Sequence, residues 1–144
     1  MKKIRAAVVG YGNIGQYTLQ TLEVAPGFEV AGIVRRQGAK ERPMELEKYN
    51  VVSDIAELHD VDVAILALPT RECPAYAKKY LAMGINTVDS FDIHTNIVNY
   101  RAELMPVCKE HGRVSVISAG WDPGSDSIVR MLMQSLAPKG LSYT

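Results

Sequence analysis

The chain contains 144 residues, and its sixteen basic and sixteen acidic side chains give it zero formal net charge. This balance argues against a protein that binds nucleic acid or an anionic membrane surface through its charge. No apolar run is long enough for a transmembrane helix, and the first residues lack the apolar segment of a signal peptide. We therefore expect a cytoplasmic protein of ordinary domain size that buries a sizeable core.

The amino-terminal segment has the pattern of a phosphate-binding turn between a strand and a helix. Residues 4–9 form an apolar, partly β-branched run that is typical of a buried parallel strand. Gly10, Gly12 and Gly15 follow at the spacing of a dinucleotide-binding motif. The first glycine permits the tight turn, the second lets the backbone approach a pyrophosphate, and the third lets the next helix approach the strand.

The helix after this turn is predicted over residues 13–25. It begins with Asn13 and Ile14, which we assign to the cofactor site together with the three glycines. Its unpaired N–H groups and the positive end of its dipole would face the phosphates. Pro26 and Gly27 end the helix.

A second apolar strand over 28–34 places Arg35 and Arg36 at the ligand edge of the sheet, twenty residues after the last motif glycine. An NAD-binding protein carries an acidic residue near this point, which binds the ribose 2′-hydroxyl, whereas arginine accommodates a 2′-phosphate. A guanidinium suits phosphate because it donates two parallel, charge-assisted hydrogen bonds. The pair therefore predicts NADP as the cofactor. The alternative is a solvated basic pair at the end of a strand.

The rest of the chain continues to alternate between helices and strands. This alternation predicts an α/β fold with a doubly wound parallel sheet, a Rossmann-type dinucleotide-binding domain. A central strand over 61–68 ends at Leu68, Pro69 and Thr70, which we also assign to the cofactor crevice. The other predicted strands cover 51–52, 85–88 and 113–118; helices are predicted over 54–58, 71–83 and 93–111, and a loop or irregular helix over 37–50.

Two further segments with carboxylates follow the fifth and sixth strands, at the edge where open α/β sheets bind ligands. The first contains Asp92, and the second contains Trp121 and Asp122. Either aspartate could contact a ligand, but each also has a local alternative. Asp92 could cap the following helix, and Asp122 could form the turn before Pro123. Trp121 lies between a glycine and this turn, which is a poor position for core burial.

The segments VVGYGNIG, GIVRR, VDSFDIH and SAGWDPGSDS, in this order and spacing, resemble the meso-diaminopimelate dehydrogenase family over essentially the whole chain. The GWDPG part is the most discriminating, because GYGN suits many reductases. The resemblance implies NADP-dependent oxidative deamination of meso-2,6-diaminopimelate at its D-centre, in lysine and cell-wall metabolism, by a homodimer. It assigns the glycine turn and the arginines to NADP, and Asp92, Trp121 and Asp122 to the amino acid.

In the implied reaction, the D-configured carbon gives a hydride to the nicotinamide, and the resulting imine is hydrolysed to a keto acid and ammonia. Asp92 and Asp122 would hold the α-ammonium group, and one of them could act as a base. His94 could assist proton transfer or could be a surface histidine. Asp89, Asp92 and His94 could form a metal site, but hydride transfer needs no metal and we expect none.

Proteins of the resembled family are longer and continue into a domain for substrate binding and dimerisation. We therefore interpret residues 1–123 as the dinucleotide-binding domain and 124–144 as the start of the connection to a second domain, with a strand beginning at 141. Two other functions stay open from the residues: another NADP-dependent reductase, against which GWDPG argues, or a non-catalytic NADP-binding module. Cys73 and Cys108 have no metal or redox spacing and are expected to be idle thiols.

Overall fold

Strands and helices alternate along residues 2–36, 43–120 and 124–140, which are the residues that the computed structural model describes. The strands are β1 (Ile4–Val9), β2 (Phe28–Val34), β3 (Val51–Val52), β4 (Val63–Leu66), β5 (Asn86–Asp89) and β6 (Ser115–Val116). The α-helices are α1 (Asn13–Val24), α2 (Cys73–Ala82), α3 (Ile97–His111) and α4 (Ser125–Leu136). Short 3₁₀ turns cover Met44–Leu46, Ile55–Glu57 and His94–Asn96.

The six strands form one sheet in the order β3-β2-β1-β4-β5-β6, and all neighbouring strands are parallel. The chain thus builds outward from β1 to one edge, returns to the centre at β4 and builds to the other edge. This is the Rossmann order, so the predicted doubly wound parallel sheet is confirmed. The reversal between β1 and β4 opens a crevice at their carboxyl ends.

Alternate residues of β1 belong to two different cores, one on each face of the sheet. Ala6 and Val8 pack with Leu19 of α1, whereas Ala7 and Val9 pack in the core that α2 and α3 cover. All four β1 side chains are at most 2% exposed. Burial on both faces explains why this strand is a continuous apolar run rather than an alternating one.

The six predicted strands up to residue 118 and the helices predicted over 13–25, 71–83 and 93–111 all exist, but several are shorter than the pattern suggested. The helix predicted over 54–58 is a 3₁₀ turn at Ile55–Glu57. The central strand is Val63–Leu66 rather than 61–68, and the sixth is Ser115–Val116 rather than 113–118. The sixth strand pairs with β5 alone, so fewer backbone bonds extend it. The helix predicted over 93–111 begins with a 3₁₀ turn before α3, and it ends at Gly112, which has a left-handed φ of +59°.

Helix α4 differs from the other helices because none of its residues is buried. Its large apolar side chains, including Ile128, Leu132 and Leu136, are all at least about half exposed. The strand predicted from 141 lies outside the described residues. No helix in the described part of the chain is both long and apolar enough to cross a membrane.

Both cysteines are free thiols. Cys73 is fully buried at the start of α2, and this burial, reinforced by the charge of Asp89, raises its pKa to about 12. The thiol therefore stays protonated near neutral pH, where a protonated thiol is a poor nucleophile. This agrees with an idle role for Cys73.

Asp89, the last residue of β5, is 2% exposed and ties three elements together. Its Oδ1 accepts the N–H groups of Phe91 (3.0 Å) and Ser118 (3.1 Å), and its Oδ2 accepts the hydroxyl of Tyr100 on α3 (2.6 Å). Its main-chain carbonyl accepts the N–H of Ala119 (2.7 Å). A buried carboxylate needs such partners, and here they hold the loops after β5 and β6 against each other.

Replacing Tyr100 with phenylalanine should destabilise the fold. The change removes one charge-assisted bond from a buried carboxylate, so we expect a loss of about 1.5–3 kcal/mol in the free energy of unfolding, measured by urea denaturation. Tyr17→Phe is the matched control, because Tyr17 is 69% exposed on α1 and its variant should stay within about 0.5 kcal/mol of wild type. Equal stabilities of the two variants would contradict the assigned role.

The same hydroxyl predicts a pH effect. Burial and the bond to Asp89 raise the pKa of Tyr100 in the folded chain. A raised pKa stabilises the fold at lower pH, and this contribution is lost as pH rises above about 10, the value for an unfolded tyrosine. The alkaline loss of stability should therefore be smaller in Tyr100→Phe than in wild type.

Candidate functional site

A cavity of about 510 Å³ lies at the carboxyl ends of β1 to β4. This is the edge at which open parallel sheets bind ligands. The glycine turn after β1, the basic residues after β2, the loop after β4 and one face of α2 form its wall. The lining residues are Val9, Gly10, Tyr11, Gly12, Val34, Arg35, Arg36, Ser53, Asp54, Ala67, Leu68, Pro69, Tyr76, Lys79 and Tyr80.

The three motif glycines have different geometric reasons to be glycine. Gly10 has a φ of +94°, and a Cβ on it would lie 2.3 Å from the carbonyl oxygen of Ala67. A Cβ on Gly15 would lie 2.2 Å from the carbonyl oxygen of Gly10. A Cβ on Gly12 would meet no described atom within 4 Å, so the space beside the turn is open. The turn and the close helix therefore have the predicted geometry, and the open space fits a bound pyrophosphate.

Helix α1 begins directly at this open space. Gly12 is its N-cap, and the N–H of Gln16 donates to the carbonyl of Gly12 at 2.9 Å to close the first turn. Asn13 and Ile14 lie in that turn with exposed side chains and do not line the cavity. Only their backbone N–H groups, at the positive end of the helix dipole, are suited to hold an anion there.

The two arginines after β2 both line the cavity, but each already has a neighbour in the structure. The Arg35 guanidinium lies 5.8 Å from the centre of the Tyr11 ring. The Nη2 of Arg36 lies 2.5 Å from Oε1 of Glu72, which directly precedes α2, and this contact raises the pKa of Arg36. Arg36 is therefore an exposed, ion-paired residue at the mouth of the cavity.

The loop after β4 is divided between the cavity and the next loop along the sheet edge. Of the three residues assigned to the cofactor crevice, Leu68 and Pro69 line the cavity, whereas Thr70 does not. The Thr70 hydroxyl instead accepts the N–H of Asp92 at 3.0 Å. Thr70 therefore connects the predicted cofactor region to the first of the predicted substrate segments.

Asp92 is exposed in the loop after β5, and it does not cap the following helix. The 3₁₀ turn there has Ile93 as its N-cap, and α3 has Asn96, so the local alternative for Asp92 is wrong. The Asp92 N–H is held by Thr70, which fixes the loop while leaving the carboxylate at the surface. Trp121 and Asp122 lie outside the described residues.

No group of three possible metal ligands occurs within the described ranges. Asp89, one of the three residues considered for a metal site, directs its carboxylate to Phe91, Ser118 and Tyr100 instead. It is a structural residue that holds the ligand edge together.

Residues on α2 form a wall of the cavity that the sequence analysis did not identify. Tyr76 and Lys79 both line it, and Lys79 Nζ lies 2.7 Å from Oδ2 of Asp54, the N-cap of the turn after β3. The N–H of Ala56 and this lysine lower the pKa of Asp54. The spacing of Glu72, Tyr76 and Lys79 at i, i+4 and i+7 was the available signal, because such residues share one face of a helix.

Comparison with known proteins matches this geometry to an oxidoreductase family. The profile for the GFO/IDH/MocA group, described as an oxidoreductase family with an NAD-binding Rossmann fold, matches residues 4–89. A meso-diaminopimelate D-dehydrogenase from Bacteroides fragilis is 66% identical to this chain over all 144 residues. The match covers 48% of the length of that relative. It thus spans about half the length of the curated relatives it matches.

Solved structures give the same result. A C. glutamicum DAP dehydrogenase in complex with DAP superposes with a TM-score of 0.75 and 32% identity, over 94% of this chain and 42% of that one. An engineered D-amino acid dehydrogenase bound to NADP⁺ superposes with a TM-score of 0.77 and 31% identity, over 94% and 42% of the two chains. The chain belongs to the GFO/IDH/MocA oxidoreductase family and has its NAD-binding Rossmann fold.

Proposed function

We propose that this chain is the cofactor-binding part of an NADP-dependent amino-acid dehydrogenase that deaminates meso-2,6-diaminopimelate oxidatively at its D-centre. The observation that carries the proposal is the 66% identity, along the entire chain, to the B. fragilis meso-diaminopimelate D-dehydrogenase. The cavity supports it, since glycine turn, helix N-terminus and arginines meet there in the manner a dinucleotide phosphate requires.

In this proposal, different residues of the chain bind different parts of the cofactor. Backbone groups at Gly12, Asn13 and Ile14 hold the pyrophosphate, and Arg35 and Arg36 hold the 2′-phosphate of NADP. Leu68 and Pro69, after β4, complete the crevice, and Thr70 holds the neighbouring loop through the N–H of Asp92. When bound, the cofactor supplies the nicotinamide carbon that accepts a hydride from the substrate.

The substrate residues lie past the later strands. Asp92 and Asp122 hold the α-ammonium group, one of them accepts a proton from it as a base, and Trp121 supplies an indole N–H and an apolar wall. The nitrogen must lose its proton before the carbon–hydrogen bond breaks, because a protonated amine has no lone pair to form the imine. A carboxylate beside it that accepts this proton therefore assists the step.

In such a protein, a second domain would follow the dinucleotide-binding domain of residues 1–123. In this proposal 124–144 connects to a substrate and dimerisation domain, and the protein acts as a cytoplasmic homodimer in lysine biosynthesis. The exposed apolar side chains of α4 support a contact with further protein. The experiment that tests the function is an assay of the full-length protein with meso-diaminopimelate and NADP. Binding of NADP without turnover would favour a non-catalytic module, and turnover of other substrates alone would favour another reductase.

The arginines should set the preference for NADP over NAD. The double variant Arg35→Asp/Arg36→Ala should lower the NADP affinity by about ten- to hundredfold, because charge-assisted bonds to the 2′-phosphate are lost. The affinity for NAD should stay nearly unchanged, as measured by isothermal titration calorimetry. Lys78→Ala is the control, since Lys78 pairs with Glu103 and does not line the cavity. An equal loss for both cofactors would contradict the assignment.

The glycine turn should be required for either cofactor. Gly12→Val should abolish binding of NADP and NAD, because the branched side chain fills the space beside the turn. The fold should survive, as no described atom is within 4 Å of the new Cβ. Gly27→Val is the matched control, because Gly27 is equally open but lies before β2, at the opposite end of the sheet. Tight cofactor binding by a folded Gly12→Val chain would refute the site.

Asp92 should affect turnover more than cofactor binding. In the full-length protein, Asp92→Asn should lower kcat/KM for meso-diaminopimelate by about ten- to hundredfold and leave NADP affinity within a few-fold. The same change at Asp122 should act alike. Asp60→Asn is the control, because Asp60 is exposed and precedes β4, so it lies at the amino-terminal ends of the strands, opposite the cavity. Near-normal kinetics of both the Asp92→Asn and Asp122→Asn variants would contradict the proposed role of these aspartates in holding the substrate.

A further inference from the structure

Glu72 is placed to influence the basic end of the cavity, although it was not part of the predicted site. It precedes α2, and its Oε1 reaches across the sequence to Nη2 of Arg36 at 2.5 Å. It is the N-cap residue of α2, yet its side chain makes no capping hydrogen bond to that helix. The Glu72 carboxylate thus binds Arg36, after β2, rather than the backbone N–H groups of its own helix.

A second ion pair beside the cavity, between Asp54 and Lys79, differs because its carboxylate is also bound by the backbone. Asp54 pairs with Lys79 but also accepts the N–H of Ala56, and Glu57 bonds back to the Asp54 N–H to complete a capping box. Those backbone bonds fix Asp54 where it is. The Glu72 side chain makes no such capping bond, and its carboxylate binds Arg36 instead.

The Arg36–Glu72 pair is open to solvent on the arginine side. The Arg36 side chain is 78% exposed, and that of Glu72 is 32% exposed. Exposed ion pairs are weak, so a stronger anion can replace the carboxylate. A 2′-phosphate carries about −1.5 to −2 charges and three acceptor oxygens, and a carboxylate carries one charge.

We propose that Glu72 competes with the 2′-phosphate of NADP for Arg36 and thereby limits the preference of this site for NADP over NAD. This inference rests on the proposed NADP site. When NADP binds, Arg36 exchanges its carboxylate partner for the phosphate, and breaking the ion pair with Glu72 lowers the net gain from the new contact. When NAD binds, Arg36 keeps Glu72 as its counter-ion, so no cation is left without a partner beside the ribose hydroxyls. Glu72 is a specificity-determining residue that acts mainly through Arg36.

The test is the binding of NADP and NAD to the 144-residue chain by isothermal titration calorimetry, with Glu72→Gln and a matched control. Removing the charge should tighten NADP binding by about three- to tenfold and change NAD binding by less than about twofold. Glu103→Gln is the control, because Glu103 on α3 forms an ion pair with Lys78 of α2 and neither residue lines the cavity. It should leave both affinities unchanged. Circular dichroism checks that each variant is folded.

A second arm separates competition from a general charge effect. In an Arg36→Ala background, Glu72→Gln should change NADP affinity by less than about twofold, since the contested arginine is gone. A gain of equal size in that background would overturn competition for Arg36. Unchanged or weaker NADP binding in Glu72→Gln alone would also overturn it, and weaker binding would assign Glu72 the opposite role of orienting the arginine.

The outcomes also distinguish this inference from the proposed function. If Arg35→Asp/Arg36→Ala weakens NADP and NAD equally, the NADP site itself is wrong. If that variant loses NADP alone while Glu72→Gln has no effect, the NADP site stands and only the role of Glu72 fails.

Discussion

The ligand edge of this fold depends on the contact of three backbone segments at Gly10. The turn after β1, the first turn of α1 and the chain leaving β4 approach so closely that a Cβ on Gly10 or Gly15 would lie 2.2–2.3 Å from a carbonyl oxygen of a neighbouring segment. No side chain fits between them, and so α1 starts directly above the end of the sheet. The crevice exists because these segments meet here and separate beyond this point.

From that contact, a series of polar links extends across the edge toward β6. The Thr70 hydroxyl joins the loop after β4 to the loop after β5, and Asp89 joins the loop after β5 to the loop after β6. Each link is a side chain bonded to a backbone N–H group of the next loop. Residues from separate strands are thereby held in a common frame, which is what a site with contributions from several loops requires.

Much of the framework was predictable from the sequence because it depends on local patterns. The glycine spacing, the buried apolar strands and the terminating Gly112 all reflect requirements of the backbone at single positions. The contacts across the sheet were not predictable in this way. The pairing of Arg36 with Glu72 joins residues 36 positions apart, and the bonds of Asp89 to Ser118 and Tyr100 depend on where two later elements pack.

The candidate site shows the same division. The glycines and arginines of the cavity could be named because a dinucleotide-binding motif places such residues at a fixed spacing. Tyr76 and Lys79, by contrast, come from a helix whose rotation about its axis is set by packing against α3 and the sheet. Asp92 could be located after a strand, but whether it capped a helix depended on where the 3₁₀ turn began.

The exposed apolar face of α4 has a consequence for how the chain behaves in solution. Side chains such as Ile128, Leu132 and Leu136 face water on a molecule whose formal net charge is zero. Electrostatic repulsion between molecules is then minimal, and the exposed apolar side chains of α4 can contact a second molecule. Colloidal stability should therefore be lowest near pH 6.8, the isoelectric point of the sequence, and should improve as pH moves away from it in either direction.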